Sequence, residues 1–283
     1  MNKTLYLLKM QLSKKFTYKQ NLLVASLLTE CASKTEFVEL LDQSLEIQLI
    51  KQKLLKILYS SDLDYQVTQV LRFCEVISLL DEDYPNQLAE VYHPPVLLFL
   101  KGDKHLLKTA ITSIVGARFS SQYSEDCLTP VIAHLVEQKQ TTCSGLAKGV
   151  DGFCHRQTLE LHGKTIAVLG HGLRHCYPKA HEPLLDKISQ SGLLVSEYLP
   201  DTPPTRFRFP ERNRIIAGLC QNIIVSEARQ KSGSLITANL ALQENRNVYA
   251  IPGPITSQLS QGTNELIESG ATPLLFSNIG QLC

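Results

Sequence analysis

From about Ile111 the chain repeats one pattern to its end: a short β-rich run, a glycine turn, then a helix. ITSIVGAR, KTIAVLG, LLVSEY, NIIVSEA and NVYAIPG supply the runs. Gly116, Gly145, Gly170, Gly172, the Ser232–Ser234 loop and Gly253 supply the turns. Such alternation predicts a parallel sheet covered by helices on both faces. Near-continuous apolar strands such as IAVLG and NIIVS agree, because a strand in such a sheet is buried on both sides. The predicted class is therefore α/β, with a doubly wound, mostly parallel sheet. Pro130 is a misfit, because it falls inside a helix expected over residues 122–138. Proline removes an intrahelical hydrogen bond, so a kink or a later helix start is expected there.

Residues 1–75 follow a different pattern. They are rich in Leu, Lys, Gln and Ser, with apolar residues at helical spacing, as in Leu22, Leu23, Leu27 and again Leu54, Leu55, Leu58. A small bundle of short helices is predicted. Prolines in DEDYPNQL and YHPP mark the connection to a second domain over residues 76–283.

In open parallel sheets, ligands bind beyond the carboxyl ends of the strands. The glycine loops all fall at that edge. Glycine lets backbone N–H groups approach an anion, and each following helix N-terminus adds partial positive charge. Gly145 and Ser232, Gly233 and Ser234 are thus candidate anion sites. Each glycine alone is equally a plain tight turn, and only the shared edge favours binding.

The stretch Thr205–Gly218 (TRFRFPERNRIIAG) leaves a strand at the same edge. If extended, it would place Arg206 and Arg208 on one face and Phe207 and Phe209 on the other. Guanidinium groups bind phosphate as a planar fork, and aromatic rings offer faces for unpaired bases. The segment fits a nucleic-acid contact, or a charged edge strand with its phenylalanines in the core. Phe207 is the one expected in the core. Net charge is only +1, so any polyanion must be held by a local cluster.

Other chemistries find less support. GHGLRH after KTIAVLG keeps two glycines of a dinucleotide fingerprint, with His175 in place of the third. GKT at Gly163–Thr165 precedes a strand where a P-loop would open a helix, so ATP is not expected there. Cys154, His155, His162, His171, His175, Cys176 and His181 match no regular zinc spacing. Asp151, Glu197 and Glu227 lie near the ligand edge, but none is paired at close spacing as a two-metal site would suggest. Asp151 falls in a helix's first turn, and Glu197 and Glu227 stand where they could orient arginines. The eight cysteines, Cys283 among them, form no CxxC pair. With no export signal and no run long enough for a membrane helix, reduced thiols in a cytoplasm are expected.

SGLAKGVDGFCH, GKTIAVLGHGL with YPKAH, SEY with FRFPERNRIIAGL, EA with KSGSLITANLAL, and IPG with SQGTNELIESGA occur in this order. Together they resemble the DprA (Smf) DNA-processing family, from about Asp81 to the end. The resemblance implies an extended Rossmann-like fold behind a small helical SAM-like domain. It also implies a non-enzymatic, cytoplasmic homodimer without cofactor. Such a protein binds single-stranded DNA, protects incoming strands in natural transformation and loads RecA recombinase onto them. Matched by motif, Arg118, Lys179, Arg206, Phe209, Arg212 and Asn213 are implied DNA contacts, and Gly145 with Ser232–Ser234 implied anion sites. The helix around Leu266 and Ile267 is the implied dimer contact, and Leu242 the implied RecA-facing position. Ser226 departs from an apolar family position, and Asn245 replaces a common Gly, a change that an αL-tolerant residue allows. The winged helix that ends many members is not expected, as the sequence stops soon after LLF.

A second reading from another class is a Rossmann-like nucleotide-processing enzyme of the phosphoribohydrolase type. Its PGG-x-GT-xx-E loop is matched by IPG and GTNE, but split by a longer insert.

Overall fold

The computed structural model describes residues 2–41 and 45–282; Cys283 lies outside them. The chain divides into two compact units, Met1–Tyr84 with Pro95–Leu100, and Pro85–Pro94 with Lys101–Cys283. Compared with a cut at residue 75, this division gives the first unit a β-ribbon as well as its helices.

The first unit contains helices α1 (Lys3–Ser13), α2 (Tyr18–Glu30), α3 (Lys34–Leu40), α4 (Leu45–Leu58) and α5 (Ser61–Phe73). α1 packs against α2, α4 and α5. Tyr6, Leu8, Leu28, Phe37 and Leu54 form its buried interior. The Tyr6 hydroxyl donates to the Leu54 carbonyl at 2.9 Å, so this buried polar atom keeps a partner. Thr17 and Gln20 form a capping box that fixes the start of α2. The unit ends in an antiparallel pair, β1 (Glu75–Ser78) with β2 (Leu97–Gly102), in register from Glu75↔Leu100 to Ser78↔Leu97.

The second unit begins with a short helix, α6 (Asn86–Ala89), and then alternates as the sequence predicts. Strands β3 (Ile111–Val115), β4 (Thr141–Ser144), β5 (Lys164–Val168) and β6 (Leu193–Ser196) are separated by α7 (Gln122–Glu137), α8 (Val150–Glu160) and α9 (Glu182–Ser191). The chain then passes through α10 (Arg208–Leu219) to β7 (Asn222–Val225), α11 (Gly233–Gln243), β8 (Asn247–Ala250), α12 (Gln261–Glu268) and β9 (Thr272–Pro273). All pairings among these strands are parallel, in the order β6-β5-β4-β3-β7-β8-β9. The order reverses between β3 and β7, which makes the gap beyond their carboxyl ends the topological switch point.

β3 shows both faces covered. Ile114 enters the cluster of Leu128, Ile132, Leu135, Val150 and Cys154 from α7 and α8. Its neighbour Ser113 points the other way and donates to the Ile216 carbonyl of α10 at 3.0 Å. Helix α7 runs through Pro130, which lies on its exposed side; the helix starts at Gln122, so no later start occurs. Asn245 adopts φ 57°, the left-handed conformation that Asn tolerates after a helix. Ser226 is buried, and its hydroxyl pairs with that of Ser124 at 2.6 Å. The polar departure at position 226 thus comes with a polar partner.

Candidate functional site

A cleft of about 380 Å³ opens at the switch point. One side is the turn after β3, Gly116–Arg118; another is the start of α11, Ser232–Ser234; Phe209, Arg212 and Asn213 of α10 complete it. A smaller hollow of about 190 Å³ adjoins it, lined by Phe119, Lys148, Tyr177 and Pro178. Arg118, Ala147, Phe209 and Arg212 line both.

The Thr205–Gly218 stretch is not an extended strand. It turns at Arg206 and Phe207, and α10 begins at Arg208. Pro210 falls in the first helical turn, where a missing N–H leaves no intrahelical bond unmade. This geometry corrects the placement of Phe207, which is 60% exposed and outside the core, with the Arg208 guanidinium 5.3 Å from its ring. Arg208 also donates to the Pro203 carbonyl, which ties down the turn before the helix.

Arg212 is almost entirely buried, at 4% exposure. Its guanidinium donates to the Gly145 carbonyl at 2.8 Å and to the Val168 carbonyl, at the ends of β4 and β5. Arg212 is therefore fixed beneath the cleft and is not an outstretched phosphate ligand. Asp151, on the first turn of α8, accepts from the Gly145 N–H at 3.1 Å and the Ala147 N–H at 3.3 Å. The Gly145 amide is thereby committed to a carboxylate inside the fold. Burial pushes the Asp151 carboxyl up, while the Arg212 charge and these backbone donors oppose it. Burial likewise lowers the Arg212 guanidinium, and Asp151 offsets this.

Phe209 is half-buried and leans over Gly170, where an added Cβ would stand 2.8 Å from its ring. The Tyr177 ring lies 5.3 Å from it at 35°, and the Arg118 guanidinium carbon 6.0 Å from its centroid. Tyr177 is 49% and Phe119 79% exposed, so two further rings flank the basic groups. Sequence reasoning missed Tyr177, Phe119 and Lys148. The available signals were Phe119 directly after VGAR and Tyr177 directly before PKAH.

Asn213 bonds from its side-chain amide to the Gly233 carbonyl at 3.4 Å, which links α10 to α11. The Ser232 and Ser234 hydroxyls are 2.9 Å apart at the α11 N-terminus, where the first backbone N–H groups have no intrahelical partner. Lys179 is exposed in the single 3₁₀ turn Lys179–His181, and Arg206 is exposed in the turn before α10; neither lines the two hollows. Leu266 is buried on α12 with Ile267 half-buried beside it, and Leu242 is 49% exposed at the end of α11.

The edge carboxylates have structural partners. Glu197 grips Arg214 through two bonds, at 2.5 Å and 3.1 Å. Glu227 orients no arginine: it accepts from the Ser121 N–H at 2.8 Å and hydroxyl at 2.6 Å, ahead of α7. Among the described residues no group of three or more His, Cys, Asp or Glu side chains is placed to hold a metal ion. His155 is buried with its Nδ1 2.7 Å from the Thr165 hydroxyl; burial, then the neighbouring His181 and arginine charges, lowers it to about 3. Among the described residues, no helix is long and apolar enough to cross a membrane.

The family model and the curated relatives agree on one family. The family model for DNA recombination-mediator protein A matches residues 75–282. DNA processing protein DprA of Streptococcus pneumoniae is 49% identical over 194 residues, 69% of this chain and 68% of that protein. Protein Smf of Escherichia coli is 42% identical over 67% of this chain but only 51% of its own length. The X-ray structure of S. pneumoniae DprA superposes on 99% of this chain and 92% of its own, with TM-score 0.76 and 35% identity. The Helicobacter pylori protein, a structure described for its single-stranded DNA binding mode, covers 74% of this chain and 95% of its own, with TM-score 0.68 and 29% identity.

Proposed function

The chain belongs to the DNA recombination-mediator protein A family, and we propose that it binds single-stranded DNA in the cleft at its topological switch point. What carries the reading is one convergence: Arg118 and Phe209 line both the cleft and the adjoining hollow, with the α11 N-terminus on the cleft and the Tyr177 ring on the hollow. Each supplies a different need of a single strand. Arg118 offers an exposed cation, the Ser232–Ser234 amides an anion seat, and the rings a face on which an unpaired base stacks. Lys179 and Arg206 extend the positive charge beyond the hollows. Arg212 contributes by holding the floor, through the carbonyl ends of β4 and β5.

On this reading the protein mediates recombination in the cytoplasm: it protects a strand entering by transformation and passes it to RecA. It works as a homodimer and catalyses no reaction. The half-exposed Leu242 suits a partner-facing position, and Ile267 suits a dimer contact with Leu266 packed behind it. The nucleotide-cleaving alternative finds part of its loop reassembled: Gly253 and Asn264 exchange bonds at 3.2 Å and 3.0 Å. Its carboxylate, Glu265, accepts from Gln230 on the exposed surface and does not line the cleft. Release of base from nucleoside monophosphates would support that alternative.

The decisive measurement is fluorescence anisotropy with oligo-dT against a duplex of equal length, across a salt series. Single-strand preference is expected, with log affinity falling by about 0.7 per neutralised phosphate for each tenfold rise in salt. Equal binding of duplex, or indifference to salt, overturns the assignment.

A further inference from the structure

A larger groove, about 670 Å³, lies between α8 and α9 and is not part of the cleft. Its lining includes Arg156, His162, Lys164, His181 and Lys187, with Glu160 the one carboxylate among its lining residues. Arg156, His162, Lys164 and Lys187 are exposed. The chain as a whole is close to neutral, so this is a local concentration of charge. Along α9 its lining runs from Pro183 to Ser191, roughly 12 Å.

The groove connects to the candidate site. His181 lies at its near end, and its Nδ1 is 3.0 Å from the carbonyl of Leu146, in the loop that carries Gly145 and Ala147. Ala180 and His181 line the groove, Pro178 lines the smaller hollow, and exposed Lys179 stands between them. At the far end the Lys164 amine donates to the Ser191 carbonyl at 3.1 Å.

We propose that this groove holds a further stretch of the same single strand, by its phosphates alone. The inference rests on the reading of the cleft as a single-strand site. The groove's lining is cationic and aliphatic, whereas the hollow beside the cleft carries the Tyr177–Phe209 ring pair. A strand leaving Phe209 and Tyr177 past Lys179 therefore meets a track that takes backbone charge without engaging bases. Electrostatic tracks of this kind, joined to aromatic platforms, are how sequence-tolerant single-strand binders lengthen their footprint.

The test compares oligo-dT of six and of twenty nucleotides on the full chain and on the double variant Lys164→Glu/Lys187→Glu. Both side chains are exposed, and unchanged thermal unfolding confirms the fold. The six-mer is expected to bind both proteins within twofold. The twenty-mer is expected to lose about tenfold or more in affinity at 0.1 M salt, with its salt slope smaller by about 1.4, the value for two phosphates. An unchanged twenty-mer, or an equal loss on both lengths, overturns the groove while leaving the cleft intact. Failure of both oligonucleotides to bind the unmodified chain overturns the cleft reading and the groove with it.

Discussion

The guanidinium of Arg212 occupies the space that a side chain at Gly145 would need. An added Cβ there would lie 2.5 Å from its nearer terminal nitrogen, and the guanidinium is tied to the carbonyls of residues 145 and 168. Glycine at position 145 is thus a steric condition for the buried cation under the cleft.

Gly145→Ala is expected to destabilise the protein by about 1–3 kcal/mol, the usual cost of overpacking a closed interior. Thermal unfolding reads this directly. Single-strand affinity should fall in the same variant, because the displaced guanidinium moves the cleft floor. A variant of normal stability would mean that Arg212 has another place to go.

Gly233 offers the opposite case. Nothing lies within 4 Å of where its Cβ would stand, and its position opens α11 at the cleft wall. Gly233→Ala is expected to keep or slightly raise stability, by up to about 1 kcal/mol from helix propensity. It should nonetheless weaken oligo-dT binding, since the methyl intrudes where an anion would sit. Unchanged affinity would remove the α11 N-terminus from the site.

Tyr177→Ala takes away one ring of a half-exposed pair. A loss of about 1–3 kcal/mol in oligo-dT binding is expected, the range for a stacked base, with little change in melting temperature. An abasic oligonucleotide should be almost insensitive to the change. If normal and abasic strands suffer alike, the ring does not stack on a base.

His155 predicts a pH dependence of stability. Its folded value is about 3, against about 6.5 in the unfolded chain. Below pH 6.5 the unfolded state takes up the proton first, so stability present above that value declines as pH falls toward 3. The contribution lost between pH 6.5 and 5 is about 1.6 kcal/mol. His155→Gln should flatten denaturant-unfolding stability over this range. A wild-type curve that is already flat would contradict the buried neutral state.

The alternation of strands and helices was legible because parallel strands buried on two faces, such as β7 with Ile223, Ile224 and Val225, are largely apolar. The start of α10 was not. Pro210 looks like a breaker in sequence, yet the first turn of a helix needs no N–H from it. The burial of Arg212 was equally hidden, since nothing along the chain announces that β4 and β5 will present carbonyls to it. Tyr177 escaped notice because its partner Phe209 is brought beside it only by tertiary structure.

The two helix starts facing the cleft differ in kind. α10 opens with Arg208, Phe209 and Pro210, so its end is short of one amide and rich in ring surface. α11 opens with Gly233 and Ser234, small residues that leave its amides uncovered. A molecule with an anionic half and a flat apolar half has, between them, only one comfortable way round. On the proposed reading the cleft would impose a polarity across its width, sorting the two halves of a nucleotide to opposite walls whichever letter the nucleotide carries.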